Sequence, residues 1–329
     1  MAQTGPPAAI RLLSTGRSGG PRNERSRPAG TQLSAAYRRA PTIPGLTAPE
    51  LYGWPVLVAS VLSLKGGVGK TTVTLGLASA AVHRGVDTLL VDLDPQMNAT
   101  TTVFPEPDPA TDGQQNGQRK HRRWSVADVL DDPSRKVIDK VIKPTVWGDS
   151  LRILPGSERT ENHNHPDPGS KSLFRLAGAL AKVDPAPELV LVDCPPSLGQ
   201  LTRSALIAAD RAVLVTEPSL FAVTGVQRAL EAVQTERLAH RSTLQPLGVV
   251  INRFRPRVTE HEYRLAELRD LFGPLVLSPV LPDRSAVQQA QGASVPIHQW
   301  PTAGAREVAQ SFDALLDRLL RSARSKARR

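Results

Sequence analysis

A short glycine-rich segment constrains the fold of this chain more than any other feature of its sequence. Residues 56–64 form an uncharged apolar run that favours a strand buried on both faces. Residues 65–72, KGGVGKTT, follow directly, and a helical apolar pattern then extends to about residue 84. Apart from its missing first glycine, the segment fits the pattern G-x-x-x-x-G-K-[ST], in the strand–loop–helix context that this pattern requires. We therefore predict a phosphate-binding loop rather than a turn that only joins two elements.

The residue types in this loop explain how it would hold phosphate. Small residues let consecutive backbone N–H groups point into one concavity, and the following helix adds its positive N-terminal end. We expect Lys70 to reach the β- and γ-phosphates of a nucleotide, and the Thr71 hydroxyl to bind Mg²⁺. The predicted nucleotide contacts in the loop are Lys65, Gly66, Gly67, Val68, Gly69, Lys70, Thr71 and Thr72.

Alternating strands and helices set the predicted fold class. Further apolar, β-favouring runs, the first two of which end in an aspartate, predict buried strands at residues 88–92, 189–193, 212–216 and 247–252. Helical patterns stand at residues 201–209, 223–237, 261–271 and about 306–324. This alternation predicts an α/β protein with a three-layer P-loop NTPase fold, in which a mostly parallel twisted sheet has helices on both faces.

Three segments in this order resemble the ParA/MinD family of deviant Walker A ATPases, and within it the ParA/Soj partitioning ATPases of chromosomes or plasmids. KGGVGKTT at residues 65–72 resembles the deviant Walker A motif. DLDPQMNAT at residues 92–100 resembles the family segment D-x-D-P-Q-x-N, and VDCPPS at residues 192–197 resembles its Walker B and switch II segment. A single aspartate at a strand end often only caps the next turn, but each of these segments follows a predicted buried strand. The resemblance spans about residues 56–320.

The resemblance implies a role for each charged residue of these segments. Lys65 matches the family's signature lysine, which reaches across a nucleotide-sandwich dimer to the partner's ATP. A cation supplied in this way neutralises developing charge and couples dimer formation to the γ-phosphate. Asp94 would orient the attacking water, and Asp193, together with Thr71, would hold Mg²⁺. The implied catalytic residues are Lys65, Lys70 and Asp94.

Other positions match the family less closely. Asn252 stands where the family contacts adenine, and Pro282 and Asp283 belong to a late segment that resembles the one closing over the base. The family commonly has glycine where this chain has Met97. That difference leaves the nearby carboxylates in place but leaves the shape of the local loop open.

The charge of the chain bears on its partners. A formal net charge of +10 favours a polyanionic partner, either nucleic acid or an anionic membrane surface, although a basic chain can also be merely soluble. The resemblance implies an ATPase of weak intrinsic activity that dimerises with Mg²⁺ and ATP, binds DNA without sequence preference, and is stimulated to release it by a ParB-like partner. The candidate DNA contacts, or alternatively a solvated basic face, are Arg253, Arg255, Arg257, Arg264 and Arg284.

The alternative is a MinD-like positioning ATPase, which would end in an amphipathic membrane anchor. Leucines at 315, 316, 319 and 320 stand beside arginines, but we expect this stripe to pack the last helix on the sheet. No run approaches the roughly 20 apolar residues of a membrane span, and no secretory signal is evident. A single cysteine disfavours iron–sulfur relatives and fits a reducing compartment. We expect a cytoplasmic, nucleoid-associated protein without integral membrane association.

Composition divides the chain into three parts. Residues 1–50 are rich in Pro, Gly, Ser and Arg, and residues 1–45 hold seven arginines against one acidic residue. Such a segment buries too little apolar surface to offset chain entropy, so we predict a disordered basic leader, with an organelle transit peptide as the alternative. Residues 51–322 form the predicted ATPase domain, and residues 323–329 a basic tail. Two polar stretches, 105–123 and 158–171, are predicted surface loops.

Overall fold

The computed structural model describes residues 56–105, 123–166, 168–240 and 242–324. The leader predicted at residues 1–50, most of the predicted loop at 105–123 and the tail from residue 325 lie outside the described residues. Within the described residues, none of the helices has the length and apolar character needed to cross a membrane.

A seven-stranded sheet forms the centre of the fold. In chain order its strands are β1 Leu57–Leu62, β2 Thr88–Asp92, β3 Lys143–Thr145, β4 Gly148–Leu154, β5 Leu189–Asp193, β6 Arg211–Thr216 and β7 Gln245–Ile251. Their order across the sheet is β3-β4-β2-β5-β1-β6-β7. All neighbours are parallel except β3 and β4, which pair antiparallel at one edge. The mostly parallel sheet is therefore confirmed.

Helices cover both faces of this sheet. They are α1 Lys70–His83, α2 Asn98–Val103, α3 Val126–Asp131, α4 Arg135–Val141, α5 Ser170–Leu173, α6 Arg175–Leu180, α7 Gln200–Ala208, α8 Ala222–His240, α9 Thr259–Phe272, α10 Ser285–Gly292 and α11 Ala303–Arg324. Helices α1, α10 and α11 pack into the hydrophobic cluster on one face. Helices α3, α6 and α7 pack on the other face, and α8 and α9 form a further cluster with β6 and β7. This arrangement confirms the predicted three layers.

Strand β1 shows why the sheet is covered on both sides. Leu57, Ala59 and Val61 belong to the cluster with α1 and α11, whereas Val58 belongs to the cluster with α7. Side chains alternate between the faces of a strand, so a strand covered on both faces is apolar at successive positions. All six residues of β1 are buried, as the uncharged run at 56–64 predicts.

Helix α11 packs directly on helix α1. A Cβ atom built at Gly76 of α1 would lie 2.0 Å from the Phe312 ring of α11, so this close approach requires glycine. Leu315, Leu316 and Leu319 are buried in the same cluster, and Leu320 packs against it. The predicted packing of the leucine stripe is confirmed.

Two polar regions differ from their predicted structure. The sequence patterns missed the β3–β4 hairpin, because its two strands contain lysine, proline, aspartate and arginine rather than an uncharged run. Residues 158–171 were predicted as a surface loop, but they contain the 3₁₀ helix Glu158–His163 and the start of α5. Thr160 in that 3₁₀ helix is fully buried. Most other described residues of the segment are exposed, so its place at the surface was predicted correctly and its helical turns were not.

Candidate functional site

Three central strands bring the predicted site residues to one edge of the sheet. Asp92 at the end of β2 and Asp193 at the end of β5 are register partners, and Asp193 is also in register with Val61 of β1. The glycine-rich loop after β1 therefore starts beside both aspartates. Carboxyl ends of parallel strands are where ligands bind in open α/β sheets.

A cavity of about 880 Å³ opens at this edge. It is lined by most of the predicted loop contacts and by Asp94. The wall also includes residues 195–197 of the predicted switch II segment, together with side chains that the sequence did not indicate. The lining residues include Gly66, Gly67, Gly69, Lys70, Thr71, Thr72, Asp94, Glu161, Asn164, Arg253 and Gln291.

The loop is held in shape by two side chains from the end of β7. Gly67 and Gly69 adopt φ angles of 78° and 89°, which glycine reaches without steric cost. Asn252 Nδ2 donates to the Val68 carbonyl oxygen at 2.9 Å, and Arg253 Nη1 donates to the Gly67 carbonyl oxygen at 2.7 Å. These two bonds fix two peptides of the loop.

Asp193, at the end of β5, bonds two threonines of helix α1. It is fully buried, and its two oxygens accept from Thr71 Oγ1 at 2.7 Å and from Thr74 Oγ1 at 3.0 Å. Burial raises the pKa of Asp193, and the charge of Asp92 raises it further, while the two threonine bonds and Lys70 act in the opposite direction. A cation beside Asp193 would offset this desolvation.

Asp92 and Asp94 have different surroundings although they are two residues apart. Asp92 is fully buried and accepts from Thr100 N at 2.8 Å and Thr100 Oγ1 at 2.6 Å, so it anchors helix α2 to the sheet. Burial raises the pKa of Asp92, and the Thr100 bonds oppose that shift. Asp94 lines the cavity, and its Oδ1 accepts from Gln96 N at 3.0 Å. Asp94 is the carboxylate placed to face a ligand.

The backbone at Met97 answers the question left open by the sequence. Met97 has φ 56° and ψ 25°, the left-handed conformation that glycine favours. The loop before α2 therefore keeps a glycine-type shape with a methionine in it.

Lys65 lies apart from the cavity wall. Its Nζ is 2.7 Å from Glu217 Oε1 and 3.3 Å from Ser219 Oγ, both after strand β6. Arg253 Nη1 lies 3.9 Å from Glu217 Oε2. Glu217 was not predicted from the sequence, although it directly follows the buried strand β6.

The predicted adenine contacts do not line the cavity. Asn252 is 4% exposed and supports the loop from behind, as described above. Pro282 forms an isolated β-bridge with Phe254, and Asp283 forms an ion pair with Arg255. Their contact with a base stays a prediction. Glu161 and Asn164, from the segment predicted as a loop, line the cavity instead.

The five arginines predicted to bind DNA have different surroundings. Arg253 reaches the phosphate loop. Arg255 pairs with Asp283, Arg264 with Glu260 and Glu267, and Arg284 with Glu307. Arg257 is exposed and forms no ion pair with any residue that the structure describes. Their DNA contacts stay predictions, and Arg257 is the one whose charge is uncompensated within the described chain.

Comparison with known proteins agrees with this geometry. The AAA domain family matches residues 56–245. The chain is 29% identical over 246 residues to the chromosome partitioning protein ParA of Caulobacter vibrioides, covering 74% of this chain and 86% of that protein. It is 30% identical over 276 residues to an uncharacterized protein of Mycobacterium tuberculosis, covering 82% of each.

A solved structure shares the fold and some of the sequence. Cobyrinic acid a,c-diamide synthase from Mycobacterium smegmatis, with bound ADP and magnesium, superposes with a TM-score of 0.63 at 26% identity, covering 82% of this chain and 96% of that one.

Proposed function

The chain belongs to the ParA/MinD family of P-loop ATPases, and from this membership we propose that it is an ATP-dependent DNA-partitioning ATPase. Its relatives support a ParA-type ATPase role. In the proposed cycle, binding of Mg²⁺ and ATP drives sandwich dimerisation and non-specific DNA binding. Hydrolysis, weak in the chain alone and stimulated by a ParB-like partner, then releases the DNA.

The observation that carries the ATPase part of this proposal is the hydrogen bond from Thr71, which lines the cavity together with Lys70, to the buried Asp193. A hydroxyl and a carboxylate are hard oxygen ligands of the kind that Mg²⁺ prefers, and a buried lysine supplies charge for the β- and γ-phosphates. A similar solved structure contains bound ADP and magnesium, which supports a nucleotide and Mg²⁺ as the ligands. We therefore take ATP and Mg²⁺ as the ligands of this site.

Each residue of the site has a separate proposed role in hydrolysis. Bound Mg²⁺ would neutralise charge on the phosphate oxygens. Thr71 and Asp193 would hold it, and the loop N–H groups with Lys70 would orient the phosphates. Asp94, whose carboxylate faces the cavity, would orient the attacking water. Lys65 is proposed to act on the ATP of the partner subunit.

DNA as the cargo is supported by the partitioning relatives and by the net charge of +10. Phosphate contacts suffice for binding without sequence preference. We propose residues 51–322 as the ATPase domain, flanked by the basic leader and tail, in a cytoplasmic protein that associates with the nucleoid.

The MinD-like alternative would use an amphipathic helix as a membrane anchor. Leu315, Leu316 and Leu319 of α11 are buried in the core, so this helix would have to leave the fold in order to insert. That burial favours the DNA-binding proposal.

Sedimentation with two polyanions tests the choice between them. The protein is mixed with plasmid DNA or, separately, with vesicles containing anionic lipid, in the presence of ATP or ADP. We expect cosedimentation with DNA in ATP only. Binding to vesicles but not to DNA would establish the membrane-positioning alternative, and binding to neither would overturn both.

A further inference from the structure

Lys65 is held by its own chain. Its ammonium group is 2.7 Å from Glu217 Oε1 and 3.3 Å from Ser219 Oγ. The exposed fractions of the two paired side chains are 38% for Lys65 and 27% for Glu217. The pair is thus accessible at the rim of the phosphate loop rather than locked in the core.

A lysine engaged in this pair is not free to bind the phosphates of a second chain. Its compact charge is strongly attracted to a carboxylate at contact distance, and the same charge is what a phosphate would attract. The two interactions therefore compete for one ammonium group.

We propose that Glu217 is a positioning residue that holds Lys65 within the single chain and releases it when the ATP-bound dimer forms, so that this ion pair sets the affinity of dimerisation. The inference rests on the proposed function, in which Lys65 acts across the dimer.

The surroundings of Glu217 allow that release. Its second oxygen lies 3.9 Å from Arg253 Nη1, and Arg253 is itself bonded to the Gly67 carbonyl oxygen at 2.7 Å. When Lys65 leaves, the Glu217 carboxylate keeps a cation beside it and remains partly hydrated. An uncompensated buried charge, which would make release very costly, is therefore avoided.

The test measures dimer affinity by analytical ultracentrifugation with Mg²⁺ and a non-hydrolysable ATP analogue. Glu217→Gln keeps the side-chain shape and removes the charge. Because exposed ion pairs contribute little and two of them break per dimer, we expect the dimer Kd to fall by about 2-fold to 25-fold. Glu231→Gln removes the same charge from helix α8, where Glu231 is exposed and bonds Gln227, and should leave the Kd unchanged.

A double-mutant cycle separates positioning from a structural role. Lys65→Ala should weaken the dimer, and adding Glu217→Gln to it should have no further effect. Thermal unfolding of each variant checks that it is folded.

An unchanged or weaker dimer for Glu217→Gln would overturn the inference while leaving the proposed function intact. The same gain in dimer affinity from Glu217→Gln in the Lys65→Ala background would do so too. If neither the wild type nor Glu217→Gln dimerises with the analogue, the proposed function fails and the inference fails with it. A dimer formed by Glu217→Gln alone would support the inference.

Discussion

Thr71 Oγ1 donates a hydrogen bond of 2.7 Å to Asp193 Oδ2, which joins the two proposed Mg²⁺ ligands to each other. Removing the Thr71 hydroxyl should therefore weaken the binding of Mg²⁺ more than the binding of the nucleotide itself. For Thr71→Ala we expect ATP binding in the presence of Mg²⁺ to weaken by about 10-fold to 100-fold, the range seen when metal-site partners are lost. Titration with a fluorescent ATP analogue, with Mg²⁺ and with EDTA, measures the difference.

Thr235 provides the matched control for that titration. Its hydroxyl donates to the Glu231 carbonyl oxygen on helix α8, and it does not line the phosphate cavity. Thr235→Ala should bind as the wild type does. Equal weakening of Thr71→Ala with Mg²⁺ and with EDTA would remove Thr71 from the metal site.

Position 69 requires glycine for two reasons, its backbone conformation and the close approach of Asn252. Its φ is 89°, and a Cβ atom there would lie 2.2 Å from Asn252 Nδ2. Gly69→Ala should therefore disrupt the Asn252–Val68 bond and abolish measurable ATP binding. Gly225→Ala is the control, since a Cβ atom at Gly225 meets nothing within 4 Å and Gly225 does not line the cavity. Isothermal titration calorimetry compares them, and equal affinities for the two variants would contradict the steric argument.

Much of this site could be predicted from the sequence because its parts follow buried strands. Apolar runs identify β1, β2 and β5, and parallel pairing then brings the residues at their carboxyl ends to one sheet edge. The positions of Lys70, Thr71 and Asp94 follow from this strand pairing and from the motifs at residues 65–72 and 92–100.

The rest depends on contacts between distant parts of the chain. Lys65 meets Glu217 across 152 positions, and Arg253 meets Gly67 across 186. The strand–loop–helix rule gives no distance between such residues. The β3–β4 hairpin was missed for a local reason, because its composition is polar and its edge strand is only three residues long.

Asp94 should act on the rate of hydrolysis rather than on binding. Its carboxylate faces the cavity, whereas Lys70 and Thr71 hold the nucleotide. For Asp94→Ala we expect ATP binding and dimerisation to persist and kcat to fall by about 10²-fold to 10⁴-fold, as for loss of a general acid or base. Single-turnover hydrolysis measures this. Asp94→Asn keeps an oxygen that can accept from Gln96 N, so it distinguishes the loss of this loop contact from the loss of the carboxylate charge. An unchanged kcat in both variants would exclude Asp94 from hydrolysis.

His298 should make stability depend on pH. Its side chain is 4% exposed, with Nδ1 2.8 Å from Ser79 Oγ and the His83 ring stacked at 5.0 Å. Burial lowers the pKa of His298, the charges of His83 and Arg84 lower it further, and Asp313 opposes them. Because the folded pKa lies below the unfolded value of about 6.5, the unfolded chain binds the proton more readily, and stability falls as pH drops below that value.

Urea unfolding between pH 7.5 and 5.5 measures this dependence. One proton taken up on unfolding corresponds to at most about 1.4 kcal/mol per pH unit. His298→Gln should flatten the dependence, whereas His165→Gln, at an exposed position, should leave it unchanged. An identical pH dependence in the wild type and His298→Gln would show that other groups are responsible.

DNA binding by the ATP dimer should be strongly salt-dependent, and the ion pairs decide which arginine matters most. Arg257 has no ion-pair partner among the described residues, whereas Arg255 faces Asp283 and Arg264, only 15% exposed, faces Glu260 and Glu267. Each phosphate contact releases about 0.9 counterion, so Arg257→Ala in both subunits should reduce the slope of log K against log salt by about 1.8. Arg255→Ala should change it less, and Arg264→Ala least. Fluorescence anisotropy at several salt concentrations measures the slopes.

Deleting residues 1–45, which carry seven arginines and one acidic residue, tests whether the leader binds the DNA instead. If that dimer binds DNA poorly while Arg257→Ala binds normally, the leader rather than the folded face supplies the contacts.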